Sequence, residues 1–81
     1  MTDIIVKFPF CKVDDIEALI DDVTVCYNTL KYKQLRLKDE FISVHFVSDH
    51  KENFNSLYYY FKNKFKKYDV KNFSIDVLEC R

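Results

Sequence analysis

Apolar and polar residues alternate one by one in three stretches of the chain, and this period of two predicts β-strands. The first strand covers residues 4–8 and ends at Pro9, which cannot donate a hydrogen bond to a neighbouring strand. Residues 33–48 are predicted to form a hairpin that turns at residues 38–40, and residues 73–78 form the last strand. Each strand has one strongly apolar face and one mixed face, so one side of the sheet is expected to be covered.

Two further stretches repeat their apolar residues every three or four positions, which is the period of a helix packed on one side. In the first, Asp14 is the predicted N-cap, Glu17 completes a capping box, and the apolar stripe continues to Leu30. Residues 23–28 are rich in β-branched side chains, so this part of the stretch can instead be a strand.

The second helix is predicted to begin at Asp49, with Glu52 as its capping-box partner. Its inward stripe contains Phe54, Leu57, Tyr58, Phe61, Phe65 and Tyr68. Tyr59 and Tyr60 are expected to project outward, because the run of aromatic residues is wider than one helix face can bury. The first helix is acidic and the second is rich in lysine, so their charges are expected to compensate each other.

The order β-α-β-β-α-β predicts an α+β domain of the ferredoxin-like class, a four-stranded antiparallel sheet with two helices on one face. If residues 23–28 form a strand, the order becomes β-α-β-β-β-α-β. Both arrangements leave the other face of the sheet open. The 81 residues allow one compact domain over 1–81.

The chain contains no glycine, and this removes several classes of catalytic and phosphate-binding loop. Those loops need a residue without a Cβ atom, so that the backbone can reach positive φ or approach a phosphate. Asp39, Asn28 and Asn72 are then the residues predicted to take positive φ at turns. His45 and His50 have no cysteine at a metal-binding spacing, so we expect no enzyme, no metal and no cofactor.

The three cysteines are odd in number and widely spaced, at Cys11, Cys26 and Cys80. This pattern predicts reduced thiols in a cytoplasmic protein rather than a disulfide framework. The N-terminus lacks the order of a signal peptide, and no apolar run reaches the length of a membrane span. Abundant Lys, Asn, Phe, Tyr and Ile without Gly suit an AT-rich viral or phage genome, which would place the protein in the host cytoplasm.

The open face of the sheet is expected to mix apolar and charged side chains, as an interface core with a polar rim does. Together with the outward tyrosines, the predicted protein-binding residues are Ile5, Arg36, Phe41, His45, Leu78, Tyr59 and Tyr60. We therefore predict a small non-enzymatic protein-binding module, a regulator or inhibitor, whose partner is another protein or a second copy in a homodimer. The most specific form of this prediction is a virus- or phage-encoded inhibitor of a host complex.

The alternative function is binding of RNA or single-stranded nucleic acid. Residues 40–46 resemble the third strand of RNA-recognition motifs, in which aromatic side chains stack on bases, and Phe41, Val44 and Phe46 match that strand. The segment departs from the motif at its two glycine positions and at its second stacking aromatic. The predicted contact surface consists of Phe41, Lys62, Lys64, Lys66 and Lys67.

Overall fold

The chain forms four strands and two helices, in a computed structural model that describes residues 1–9 and 12–79. The elements in chain order are β1 (Thr2–Pro9), α1 (Val13–Cys26), β2 (Lys31–Lys38), β3 (Phe41–Ser48), α2 (Phe54–Lys67) and β4 (Ser74–Glu79). The strands form one antiparallel sheet in the order β2-β3-β1-β4. The predicted ferredoxin-like fold is confirmed.

The segment over residues 23–28 does not add a fifth strand, because α1 continues through Cys26. Its β-branched residues remain helical because Val23 is fully buried in the core, and this burial outweighs a weak local preference for strand. The five-stranded alternative is therefore wrong.

The apolar core lies between both helices and one face of the sheet, which we call the helix-side face. The core contains Ile4, Val6, Phe8, Ile16, Leu19, Val23, Leu30, Ile42, Val44, Phe46, Leu57, Phe61, Phe65 and Ile75. Because residues of α1 and α2 join the same cluster, both helices cover the same face. The opposite face, which we call the open face, has no helix over it among the described residues.

The helix N-termini differ from the predicted capping boxes. The N-cap of α1 is Lys12, whose side chain makes no capping hydrogen bond, and the predicted cap Asp14 lies inside the first turn. There its charge still interacts favourably with the helix dipole. The N-cap of α2 is Asn53 rather than the predicted Asp49, and the Asn53 side chain accepts a hydrogen bond of 3.1 Å from the backbone N–H of Ser56.

Positive φ occurs at Asp39 (52°), Glu40 (65°) and Asp69 (57°) among the described residues. Consecutive positive φ values at Asp39 and Glu40 match the type I′ turn that joins two twisted strands, so the prediction for Asp39 is confirmed. The predictions for Asn28 and Asn72 are wrong. The third such residue, Asp69, follows the C-cap of α2 in a Schellman arrangement.

That arrangement is set by two backbone hydrogen bonds at the end of α2. The N–H of Val70 donates to the carbonyl of Phe65 at 2.8 Å, and the N–H of Asp69 donates to Lys66 at 3.3 Å. Left-handed backbone at Asp69 is what allows both bonds, so this turn is fixed by how the helix ends.

One of the three cysteines lies in the described part of the chain, where Cys26 is an exposed free thiol. The predictions for Cys11 and Cys80 fall outside the described residues. Each described helix has 14 residues, and neither is long and apolar enough to cross a membrane.

Candidate functional site

The edge strand β2 is the least covered part of the described sheet. Its apolar residues Tyr32, Leu35 and Leu37 are 46%, 37% and 60% exposed. They lie on the helix-side face, because they pair with residues of β3 that are only 1% exposed, namely Phe46, Val44 and Ile42. The helices therefore cover the helix-side face of β3 and leave that of β2 accessible.

A groove of about 590 Å³ follows from this incomplete cover, and we call it the α1–β2 groove. It is lined by Ile16, Glu17, Ile20, Asp21, Tyr32, Leu35, Leu37 and Ile42. Its floor and its β2 side are apolar, while Glu17 and Asp21 place two carboxylates on the α1 side. A groove of this composition can accept apolar side chains.

The backbone of β2 is also available on its outer side. Among the described strands, β2 pairs with β3 alone, so its outward N–H and C=O groups have no strand partner. The pairing shifts between Tyr32 and Gln34, which places a bulge at Lys33. An edge strand with exposed apolar residues is a template for a further strand unless something covers it.

The open face carries five of the seven predicted protein-binding residues. The register places Ile5, Arg36, Phe41, His45 and Leu78 on this face. Ile5 and His45 are direct neighbours and half-buried, whereas Phe41 and Leu78 lie at opposite ends of the sheet. The structure therefore places these five on one face without bringing them into one cluster.

His45 on this face has a defined partner. Its Nε2 atom lies 2.9 Å from Oδ1 of Asp3 on the neighbouring strand. No group of three or more His, Cys, Asp or Glu side chains capable of holding a metal occurs among the described residues.

The two predicted tyrosines of α2 lie in the helix layer and differ from each other. Tyr59 is 64% exposed, as predicted. Tyr60 instead turns toward α1: its ring lies 5.1 Å from that of Tyr27, and Lys64 Nζ is 5.7 Å from its centre. Its buried hydroxyl has no hydrogen-bond partner among the described atoms, and burial raises the pKa of Tyr60 to about 12. The expectation that Tyr60 projects outward is wrong.

The lysines proposed for nucleic-acid binding do not form one surface with Phe41. Lys64 and Lys67 turn toward α1, where Lys64 Nζ lies 4.0 Å from Cys26 Sγ and Lys67 Nζ lies 3.3 Å from Asp22. Lys62 and Lys66 instead line a shallow depression next to residues 69–73. Because Phe41 lies on the open face, the sheet separates it from all four lysines.

Asp22 and Tyr68 join the two helices. The Tyr68 hydroxyl donates a 2.7 Å hydrogen bond to Asp22 Oδ2, which also accepts from Lys67. The bonds from Tyr68 and Lys67 hold the pKa of Asp22 below its ordinary 3.8. The same bond to Asp22 raises the pKa of Tyr68 to about 12. The predicted charge compensation between α1 and α2 is therefore seen at Asp22 and Lys67.

We expect Asp22→Asn to destabilise the fold at neutral pH and to lose this effect in acid. The pKa of Asp22 is depressed by folding, so its carboxylate stabilises the folded state above pH 4 and ceases to do so as the pH falls through the lowered value. Urea denaturation between pH 2 and 7 should show the two proteins converging at low pH. Asp21→Asn is the matched control on the same helix, and a deficit in Asp22→Asn that is constant over this range would contradict the prediction.

Sequence reasoning missed the α1–β2 groove. The spacing of apolar residues in a helix does not show how far that helix reaches across a sheet, so no signal in the sequence marked this groove. Which strand is left uncovered depends on strand order, and local periodicity does not specify that order.

Comparison with known proteins supports the fold and goes no further. No family model matches the sequence, and no curated protein matches it. Among solved structures, the chain is similar to an ACT domain protein from Streptococcus pneumoniae, with a TM-score of 0.63 and 21% sequence identity. The similarity covers 96% of this chain and 88% of that one. At this level of identity the likeness shows a shared ferredoxin-like fold.

Proposed function

We propose that this chain is a non-catalytic protein-binding module of the cytoplasm that takes up an extended segment of a partner protein along β2. The observation that carries the proposal is the exposure of Tyr32, Leu35 and Leu37 beside fully buried residues of β3. A fifth strand would cover all three and complete the helix-side face.

An added strand would pair with the outer backbone of β2 and would also bury its exposed apolar side chains. The incoming backbone pairs with the outward N–H and C=O groups of β2, which provides affinity for any extended chain. Alternate side chains of that segment point into the α1–β2 groove, where burial of apolar area contributes about 25 cal/mol per Å². The groove then selects which segments bind well.

A module of this kind acts by occupying its partner, as a regulator or inhibitor does. A virus- or phage-encoded inhibitor of a host complex is the most specific version of this proposal. The amino-acid composition, which is typical of an AT-rich genome, supports it. Tyr59 and Leu78, which are exposed away from β2, serve as reference positions for testing where the partner docks.

The experiment compares partner capture by matched surface variants. The bait is the purified chain in extract of its native cell, and the captured partner is identified by mass spectrometry and then titrated as a purified protein. We expect Leu35→Ser with Leu37→Ser to weaken the dissociation constant at least tenfold, because truncation of central apolar contacts costs more than about 1.4 kcal/mol.

The matched control is Tyr59→Ser with Leu78→Ser, which removes two exposed apolar side chains elsewhere. It should bind the partner with unchanged affinity. Circular dichroism checks that both double variants are folded, as expected from the exposure of all four positions. Unchanged affinity in the β2 variant, together with loss in the control, would move the binding site to the open face or to α2.

A further inference from the structure

We infer that the segment taken up by β2 alternates apolar residues with acidic residues, the acidic ones lying on the open face. This inference rests on the proposed function and names the chemistry of the partner. It follows from the different character of the two faces of β2.

The open face of β2 is a row of positive charge. Lys31, Arg36 and Lys38 lie on this face with Gln34, because they pair with the open-face residues of β3. All of them are exposed. In an added antiparallel strand, the residues opposite them would have Cβ atoms about 4.5–5.5 Å away, where opposite charges attract and like charges repel.

The adjacent strand β3 does not neutralise this row. The β3 residues paired with Lys31, Arg36 and Lys38 are Val47, Ser43 and Phe41, none of them charged. On β1, one strand further across the sheet, Lys7 follows Ser43 and adds a positive charge, while Asp3 follows Val47 and has its carboxylate 2.9 Å from His45. The only acidic residues in sequence next to the row are those of the turn at 39–40, beyond Lys38.

Among residues 1–9 and 12–79, ion pairing leaves the row available as well. In the described part of the chain, the carboxylates in salt bridges are Asp3 and Asp22, and their partners are His45 and Lys67. Carboxylates at alternate positions of an added strand would supply the missing counter-charge along β2.

The helix-side face of β2 instead favours apolar residues in the added strand. Here the added strand meets Tyr32, Leu35 and Leu37, with Glu17 and Asp21 on the far side of the groove. Acidic side chains turned into the groove would lie near two carboxylates and would bury charge against apolar surface. The two faces together therefore fix the alternation and its direction, with apolar residues toward α1 and acidic residues away from it.

A second copy of the chain fits this edge poorly. Antiparallel pairing of β2 with another β2 would bring the Lys31, Arg36 and Lys38 rows of both copies together on the open face. The bulge at Lys33 also interrupts regular pairing, and lysine and bulges are the devices by which edge strands avoid self-association. A different, acidic strand is the occupant that the charges favour.

The test uses three nine-residue peptides with blocked ends, in which Val alternates with Glu, Gln or Lys. Each is titrated into the isotopically labelled full chain at pH 7 while the backbone amide signals are followed by NMR. We expect the Val–Glu peptide to shift the β2 and groove signals and to bind at least tenfold more tightly than the Val–Lys peptide, with Val–Gln between them. The difference should shrink between 50 and 500 mM salt, because exposed charges are screened.

Charge reversal gives the sharper test. Lys31→Glu with Arg36→Glu should invert the preference toward the Val–Lys peptide, while Leu35→Ser with Leu37→Ser should weaken all three peptides alike. Equal binding of the three peptides along β2 would overturn the inference and leave the proposed function standing. Absence of any shift at β2 would contradict both. A dimer in sedimentation that Leu37→Ser dissociates would overturn the inference in favour of a second copy.

Discussion

Phe65→Ala is expected to lower the free energy of unfolding by about 3–5 kcal/mol, because it removes a fully buried ring and leaves a cavity. Phe65 is 0% exposed, and its ring centre lies 4.9 Å from that of Phe8, 6.0 Å from that of Phe61 and 4.8 Å from that of Phe73. A domain of this length has a total stability of about 4–12 kcal/mol. The variant should therefore unfold at much lower urea concentration, as followed by far-UV circular dichroism.

The control for this prediction is Tyr59→Ala, which truncates an aromatic residue of the same helix at a 64% exposed position. Its stability should change by no more than about 1 kcal/mol, since it leaves no cavity and Ala is a good helix former. Equal urea midpoints for the two variants would mean that α2 does not pack against the sheet through Phe65.

The difference in burial between Phe65 and Tyr59 could be predicted from the sequence, because it depends only on their positions around the helix. The spacing of Leu57, Phe61 and Phe65 sets the buried face of α2 as predicted. Phe54 and Tyr58, predicted on the same face, are instead 47% and 37% exposed. Strand faces were equally predictable outside the bulge at Lys33, since the side chains there follow the period of two. Both patterns are local, so they can be recognised in the sequence without knowing which elements pack nearby.

Tyr60 and β2 could not be placed in this way, because their environment depends on neighbouring elements. Tyr60 lies at the border of the apolar stripe of α2, and its burial follows from the position of α1, where Tyr27 meets its ring. Leu35 and Leu37 have the alternation of a covered strand, but the order β2-β3-β1-β4 places them at the edge. Periodicity indicates which residues share a face and does not indicate how far that face is covered.

The predicted N-cap of α2 was wrong for a different reason. The segment before α2 contains Asp49 and Asn53, and both residue types can cap a helix. The capping box with Glu52 favoured Asp49, yet the carboxylate of Glu52 serves tertiary contacts. The sequence thus contains the residues of a capping box, but the Glu52 carboxylate accepts hydrogen bonds from Ser48 and Thr29 instead.

Those partners make Glu52 the polar residue whose loss we expect to cost most. Its carboxylate accepts hydrogen bonds from Ser48 Oγ at 2.8 Å, Thr29 Oγ1 at 3.0 Å and Tyr27 OH at 3.2 Å. These bonds connect the end of β3 and the loop after α1 to the approach to α2. Glu52→Ala leaves three partly buried hydroxyl groups without this acceptor, and we expect it to lower the free energy of unfolding by about 2 kcal/mol.

Glu52→Gln separates the charge of this residue from its shape. The amide oxygen can still accept, so the variant should recover part of the stability lost in Glu52→Ala. Burial and the charge of Glu52 raise the pKa of Tyr27 above its ordinary 10.0, in that order of size. Removing the charge should therefore lower the pKa of Tyr27 without returning it to 10.0, since burial remains. Ultraviolet titration of the tyrosines in both proteins measures this, and identical titration curves would mean that Glu52 and Tyr27 are not in contact.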